Sequence, residues 1–107
     1  MDSSTIKKLL EDELARGERF FNWHGITPAN LRSCLVEPFA VQVDPDDLET
    51  SPRMMWVVLQ LSRKLSGAYR IVYDPLSKQW AVVEHVKDNE YVAIVFASNL
   101  AGALTAM

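Results

Sequence analysis

Residues 69–97 carry the clearest structural pattern in the chain, with the sequence YRIVYDPLSKQWAVVEHVKDNEYVAIVFA. Three runs rich in β-branched and aromatic residues are typical of strands, and polar segments separate them. The runs lie at 69–73, 80–86 and 91–96, and the polar segments at 74–78 and 87–90. Pro75 pre-sets φ for a turn directly after the first run, which predicts a hairpin. We therefore expect three consecutive antiparallel strands in this stretch.

The residues before this stretch extend the predicted sheet. Phe39, Val41 and Val43 alternate with smaller or polar residues, which is the period of a strand with one buried face. The apolar run at 54–59 fits a strand buried on both faces, and it equally fits a buried helix. Its β-branched and aromatic residues favour the strand. The sequence predicts a meander of four to five antiparallel strands, with 54–61 left open between strand and helix.

Helices are predicted before and after the sheet. Apolar residues recur at helical spacing over 5–22, which predicts an amphipathic helix that contains Gly17 in its interior. A proline suited to a first helical position predicts a short second helix over 28–35. The whole chain is predicted as one α+β domain with a single layer of helices on the sheet. Its parts are the helical residues 4–35, the sheet residues 36–97 and a short closing C-terminal helix at 98–107.

The composition is that of a soluble globular domain. The chain has 107 residues, of which 49% are hydrophobic and 23% charged, so one domain with one core is expected. Its single cysteine, Cys34, can form no internal disulfide, which favours a reducing compartment. The N-terminal residues show no signal-peptide pattern, and the longest uncharged segment, 91–107, is shorter than the about 20 residues of a membrane helix. We expect a cytoplasmic protein with no membrane partner.

Nucleic acid is not an expected partner. The 11 basic and 14 acidic residues give a net charge of -3, whereas binding to a duplex usually needs a basic surface. With 54–65 taken as a helix, the α-β-β-β-α order of the C-terminal part resembles that of a double-stranded RNA-binding module. The predicted last helix, 99–107, contains no lysine that could bind phosphate. The resemblance therefore covers element order and implies no function.

The sequence contains no recognisable catalytic, metal-binding or cofactor-binding motif. Cys34, His24 and His85 do not have the close spacing of a metal-ligand pair, and no motif for a nucleophile surrounds the cysteine. The glycines are too dispersed for a phosphate-binding loop, since they lie at 17, 25, 67 and 102. We assign no catalytic residue, no metal and no cofactor from the sequence.

Charges are segregated along the chain, and this segregation predicts a surface for a partner. Residues 37–49 contain five acids and no base, whereas residues 51–70 contain four bases and no acid. A dipolar surface of this kind can steer and orient a charged partner, although the two segments can also neutralise each other. The acidic turn lacks the glycine and the ligand spacing of a calcium loop. The candidate partner surface comprises Asp44, Asp46, Asp47, Glu49, Arg63 and Lys64.

The C-terminal segment is a candidate for self-association. It is uncharged and rich in alanine, so it can pack inside the chain as core or leave an apolar face for a second copy. The candidate residues are Leu100, Leu104 and Met107. The edge strands of an open sheet would offer a second route to pairing.

Two functional hypotheses follow from these patterns. The first is a small interaction module, such as an adaptor, an inhibitor or a neutralising partner, that binds another protein or forms a homodimer. The alternative is a small-ligand-binding domain or minor enzyme with a pocket between the first helix and the sheet. That pocket would be lined by Trp23, His24, Trp56 and Tyr73.

Overall fold

The described residues form a five-stranded sheet with a helix before it and a short helix after it. A single helical turn directly precedes the first strand. The computed structural model describes residues 2–21, 25–45, 51–60, 69–87 and 90–107. The elements are α1 (Ser3–Arg16), α2 (Leu31–Cys34), β1 (Leu35–Asp44), β2 (Arg53–Gln60), β3 (Tyr69–Asp74), β4 (Gln79–Lys87), β5 (Glu90–Ala97) and α3 (Leu100–Ala106). The predicted α+β class is confirmed.

Helix α1 is shorter than predicted because Gly17 ends it. Asp2 caps the N-terminus, where its carboxylate accepts a hydrogen bond from the Thr5 N–H at 3.0 Å. Gly17 has φ 62, and its N–H donates to the Leu14 carbonyl, as in a left-handed helix C-cap. The prediction of a helix over 5–22 was wrong at its C-terminal end, since Gly17 is the stop rather than an interior residue.

Helix α2 is a single turn, preceded by a turn at 28–30 rather than by more helix. Asn30 organises this approach. Its Oδ1 accepts from the Thr27 N–H at 2.8 Å, and its Nδ2 donates to the Gly25 carbonyl at 2.9 Å. Because these side-chain bonds compete with helical ones, the predicted helix over 28–35 begins only at Leu31.

Segment 54–61 is a strand over its described residues, since β2 extends from Arg53 to Gln60. Each strand pairs antiparallel with the next, in the order β1-β2-β3-β4-β5. The element order that would have resembled an RNA-binding module is therefore not present. The meander is confirmed with five strands.

The sheet closes on itself, which the sequence did not predict. Strands β1 and β5 pair in parallel at two positions, Val43 with Tyr91 and Asp44 with Val92, so the sheet is a small barrel. Register shifts interrupt three of the four antiparallel pairings, including one in β2 between Val57 and Leu59. Bulges of this kind bend strands and increase their twist, which allows five strands to curl until the first meets the last.

The two faces of the sheet bury separate apolar clusters. The helix-facing cluster joins side chains of α1, α2 and α3 to the outer face of the sheet. Its buried members are Ile6, Leu10, Ile26, Leu31, Val58, Leu59, Ile71, Tyr73, Trp80, Val82, Leu100, Ala103 and Leu104. The enclosed cluster consists of strand residues alone, namely Val43, Met55, Val57, Val72, Ala81, Val83, Tyr91 and Ala93. Within the described ranges this second cluster contains no helical residue, and it lies on the face that the closed sheet curves around.

A buried ion pair between Arg53 and Asp74 joins the start of β2 to the end of β3. The Asp74 side chain has no exposed surface and accepts hydrogen bonds from the Arg53 guanidinium, the Leu76 N–H and the Ser77 hydroxyl. Burial alone would raise the pKa of the Asp74 carboxyl, but these hydrogen bonds and the arginine charge outweigh it and hold the pKa below its ordinary value. The Arg53 guanidinium also lies 6.0 Å from the centre of the Phe96 ring.

Candidate functional site

A cleft lies between the C-terminal end of α1, the turn before α2 and one face of α3. We call it the α1–α3 cleft, and its volume is about 230 Å³. Leucine side chains and Phe20 form its apolar floor, and charged residues stand around its rim. The lining residues are Glu13, Leu14, Gly17, Glu18, Arg19, Phe20, Pro28, Ala29, Leu31, Arg32, Leu100, Ala101 and Leu104.

Glu13 fixes the two helices that form this cleft. Its carboxylate accepts a hydrogen bond from the Leu100 N–H, in the first turn of α3, at 2.7 Å. The same side chain pairs with Arg16 at 2.7 Å and is only 8% exposed. An acidic group at a helix N-terminus satisfies a free N–H and interacts favourably with the helix dipole. Glu13 therefore holds α3 against α1, with Asn99 accepting the Gly102 N–H at 2.6 Å as the cap of α3 itself.

The rim of the cleft carries both signs of charge. Arg32 forms two hydrogen bonds with the Glu11 carboxylate, at 3.1 and 3.2 Å, and both side chains are exposed. The hydrogen bonds to Glu11, and then its negative charge, raise the pKa of the Arg32 guanidinium. Glu18 and Arg19, which also line the cleft, are exposed as well. The rim is thus polar and close to neutral around an apolar floor.

Phe21 extends apolar surface beside the cleft. Its side chain is 61% exposed, an unusual position for a phenylalanine. The Phe21 N–H donates to the Thr105 hydroxyl of α3 at 3.4 Å, so the chain after α1 is tied to the last helix. Phe21 follows directly after Phe20, which lines the cleft, but is not itself one of the lining residues.

A second, smaller cleft separates α1 from the end of the sheet. We call it the α1–sheet cleft, and its volume is about 170 Å³. Its lining residues are Leu9, Asp12, Glu13, Arg16, Tyr73, Lys78, Trp80 and Ser98. The rings of Tyr73 and Trp80 meet edge to face at 4.9 Å. Burial, and secondarily the Asp74 charge, raises the pKa of the Tyr73 phenol, so this hydroxyl is protonated at neutral pH.

The pocket predicted between the first helix and the sheet corresponds in part to the α1–sheet cleft. Tyr73 lines this cleft, as the prediction requires. Trp56 lies opposite Tyr73 in the β2–β3 register but packs against the helix-facing cluster and lines neither of the two clefts. Trp23 and His24 lie outside the described residues.

The predicted partner surface falls mainly on residues that the structure does not describe. Asp44 is exposed at the end of β1, where it pairs with Val92 of β5. The other five candidates, which are Asp46, Asp47, Glu49, Arg63 and Lys64, lie outside the described residues.

The residues predicted for self-association pack within the chain. Leu100 is 3% exposed and Leu104 is fully buried, both in the helix-facing cluster. Met107 is half-buried against the same cluster. All three side chains therefore contribute to the helix-facing cluster of the chain itself.

The remaining candidates for chemistry are dispersed. Cys34 is half-buried against the helix-facing cluster. His85 stacks on the Tyr91 ring at 4.8 Å, and the Arg70 guanidinium lies 5.2 Å from the centre of that ring. Within the described ranges, no group of three or more histidine, cysteine, aspartate or glutamate residues could hold a metal ion.

The α1–α3 cleft was not predicted from the sequence. Its floor joins residues from α1 and α3 that are more than 80 positions apart, and Glu13 joins them through a backbone N–H that any residue would offer. One feature of the sequence could have indicated the cleft. If Gly17 is taken as the end of the helix, Phe20 and Phe21 lie beyond it, as apolar residues that need a packing partner.

Comparison with known proteins adds no relative. No family model matches the chain, and neither a curated protein nor a solved structure matches it. In the part of the chain that the structure describes, no helix has the length and apolar character needed to cross a membrane. The evidence for a function is therefore the geometry of the two clefts described above.

Proposed function

We propose that this protein is a small interaction module that binds a partner protein in the α1–α3 cleft, acting in the cytoplasm. The observation that carries the proposal is the combination of an apolar floor with a rim of exposed charges. This arrangement resembles the anatomy of protein interfaces, in which an apolar centre is surrounded by a polar rim.

The size of the cleft favours a side chain of a partner over a free metabolite. Pockets for drug-sized ligands usually have volumes of roughly 300–1,000 Å³, and the α1–α3 cleft is smaller, at about 230 Å³. Interfaces are commonly anchored by one large apolar side chain seated in such a depression. The cleft can hold an anchor of this size.

The residues around the cleft are of types that contribute most to binding between proteins. Aromatic and arginine side chains are enriched at the energetic centres of interfaces. Phe21, Arg19 and Arg32 are all exposed at or beside the cleft. Since the rim also carries Glu18, we expect a partner segment with an apolar anchor flanked by residues of both charges.

Filling the cleft tests the proposal. Ala29 is exposed and lines the cleft, so Ala29→Trp would occupy it without disturbing the core. Ala15 is exposed on α1 outside the lining set, and Ala15→Trp is the matched control. Tagged wild type and both variants would be used to capture proteins from an extract of the producing cell, with quantitative mass spectrometry.

We expect a defined protein to be captured by wild type and by Ala15→Trp, and to be reduced at least tenfold with Ala29→Trp. Equal capture by all three baits would contradict a role for the cleft. Circular dichroism of the three proteins would establish that a loss does not come from unfolding.

A small-ligand domain is the second candidate, and the α1–sheet cleft favours it. Its aromatic wall of Tyr73 and Trp80 faces polar groups of Asp12, Lys78 and Ser98, a combination suited to orienting a small polar molecule. A metabolite library that raises the melting temperature of wild type, and not that of Lys78→Ala, would support this function. No shift with any compound would count against it.

A further inference from the structure

The α1–sheet cleft is lined by one acid and one base that are not used by each other. Asp12 lies on α1, and Lys78 ends the turn between β3 and β4 on the other side of the cleft. Among the ion pairs of the described residues, none includes either group. The other acid and base of the lining are already matched, because Glu13 pairs with Arg16 and accepts the Leu100 N–H. The cleft therefore offers one carboxylate and one ammonium group to a ligand.

The backbone at Lys78 is unusual for a lysine. Its φ is 57, and in the described ranges it is the only residue other than glycine in this left-handed region, which favours glycine or asparagine. The turn is fixed by Asp74, whose carbonyl accepts the Lys78 N–H at 2.8 Å and whose carboxylate accepts the Leu76 N–H and the Ser77 hydroxyl. Unfavourable backbone conformations of this kind are concentrated at sites that hold ligands. A lysine at this position therefore points to a use of its side chain.

The size and the remaining walls of the cleft limit the ligand to a small molecule. Its volume of about 170 Å³ is below the roughly 300–1,000 Å³ of pockets for drug-sized ligands. Tyr73 and Trp80 are buried and Leu9 is half-buried, so they leave room for only a small apolar group. Ser98 adds an exposed hydroxyl to the lining.

We infer that the α1–sheet cleft binds a small zwitterion of the class of free α-amino acids with an apolar side chain. The ligand carboxylate pairs with the Lys78 ammonium, its ammonium pairs with the Asp12 carboxylate, and its side chain packs against Leu9 and Tyr73. A ligand with a single charge would displace water from both groups and satisfy only one, whereas a zwitterion satisfies both. The inference rests on the small-ligand function, the second candidate above, and does not involve the α1–α3 cleft.

Titrations of isotope-labelled protein followed by NMR test the inference with free alanine, valine, leucine, methionine and phenylalanine as probes. The tightest-binding amino acid is then compared with its N-acetyl derivative, which lacks the ammonium group, and with its amide, which lacks the carboxylate. We expect each derivative to bind about tenfold more weakly or worse, because each loses one charge-assisted contact. The amide signals that shift should include those of 73, 78 and 98.

Variants assign each charge of the ligand to one residue. Lys78→Asn removes the ammonium group and suits the left-handed backbone, so its melting temperature should be no lower than that of wild type. It should bind the free amino acid and the amide with the same affinity, and Asp12→Asn should bind the free amino acid and the N-acetyl derivative alike. Lys8→Gln and Glu84→Gln are the matched controls, because both residues are exposed and lie outside the lining of the cleft. Both controls should keep the preferences of wild type.

The outcomes separate the class of ligand from the existence of a ligand site. Absence of binding by every probe at millimolar concentration would overturn the inference, as would equal affinity for the free amino acid and its derivatives. Wild-type preferences that persist in Lys78→Asn and Asp12→Asn, or that are lost equally in the two controls, would overturn it as well. A metabolite with no zwitterionic group that stabilises wild type but not Lys78→Ala would support the small-ligand function and refute the zwitterion.

Discussion

Replacing Glu13 by alanine tests the contact that holds the two walls of the α1–α3 cleft together. The substitution removes the acceptor of the Leu100 N–H, which lies at 2.7 Å, and the partner of Arg16. Because the Glu13 side chain is 8% exposed and Leu100 is 3% exposed, water cannot readily take the place of the carboxylate. The variant is left with a poorly solvated N–H at the start of α3.

The cost can be worked from these contacts. A hydrogen bond to a charged group contributes about 1.5–3 kcal/mol, and a pair three residues apart on a helix adds only about 0.2–0.5 kcal/mol. We expect the free energy of unfolding to fall by about 2 kcal/mol, which corresponds to a decrease in melting temperature of roughly 10 °C in a domain of this size. Glu13→Gln keeps a neutral acceptor and should lose about half as much.

Urea denaturation followed by circular dichroism measures this difference, with Glu11→Ala as control. Glu11 lies on the same helix and also binds an arginine, Arg32, but both side chains are exposed. Exposed pairs are screened by solvent and contribute little to stability, so the control should lose much less than Glu13→Ala. If the two alanine variants lose the same stability, Glu13 does not fix α3 against α1, and the account of the cleft walls is wrong.

Substitutions at two further positions, Asp74 and Gly17, test the fold around the site. Asp74→Ala removes the buried carboxylate that pairs with the Arg53 guanidinium, and we expect a loss of about 3 kcal/mol in urea denaturation; a loss below 1 kcal/mol would contradict this. Folding lowers the pKa of the Asp74 carboxyl, so the ionised carboxylate stabilises the folded protein at pH values above the pKa of Asp74 in the unfolded chain. This contribution to the free energy of unfolding is lost as the pH falls through the lower pKa of the folded state. In acid denaturation, Asp74→Asn should therefore lose less stability between neutral and low pH than wild type does. An acid transition that is the same in both proteins would contradict this role of Asp74. Gly17→Ala should cost about 1 kcal/mol because its φ is 62, and Gly17→Asn should cost less since asparagine tolerates this conformation; equal stability of both variants to wild type would refute the cap.

The strands were predictable because local chemistry marks their ends. Pro75 and the polar segment after it occupy the turn between β3 and β4, and the alternation of Phe39, Val41 and Val43 lies within β1. The ambiguous run after Pro52 became a strand because β1 and β3 pair with it on both edges, a long-range condition that periodicity cannot contain.

The end of α1 and the closure of the sheet were not predictable in the same way. Phe20 continues the apolar spacing of α1 and packs against the helix-facing cluster, but it does so from beyond the Gly17 cap. Burial alone does not distinguish a helical residue from one in the following segment. Closure depends on bulges, and their positions follow from the packing of both sheet faces rather than from one stretch of sequence.

The candidate site was predicted least well, because its residues meet only in the folded chain. Strand and helix patterns predict Tyr73 beside the first helix, and in the structure it lines the α1–sheet cleft. The walls of the α1–α3 cleft are joined by the hydrogen bond from the Leu100 N–H to the Glu13 carboxylate. Because nearly every residue has a backbone N–H, the sequence does not indicate which one Glu13 binds. The charged segments and the histidines are visible in the sequence, whereas nothing in the sequence distinguishes Glu13 from the exposed acids beside it, Glu11 and Asp12.

Site-specific photo-crosslinking from position 29 tests the interaction proposal most directly. A photoreactive amino acid would replace Ala29 in one protein and Ala15 in another, and each would be irradiated in extract of the producing cell. We expect a discrete crosslinked partner from position 29, competed by excess unlabelled wild type and absent from position 15. The same adducts from both positions, or none from position 29, would contradict a partner bound in the α1–α3 cleft.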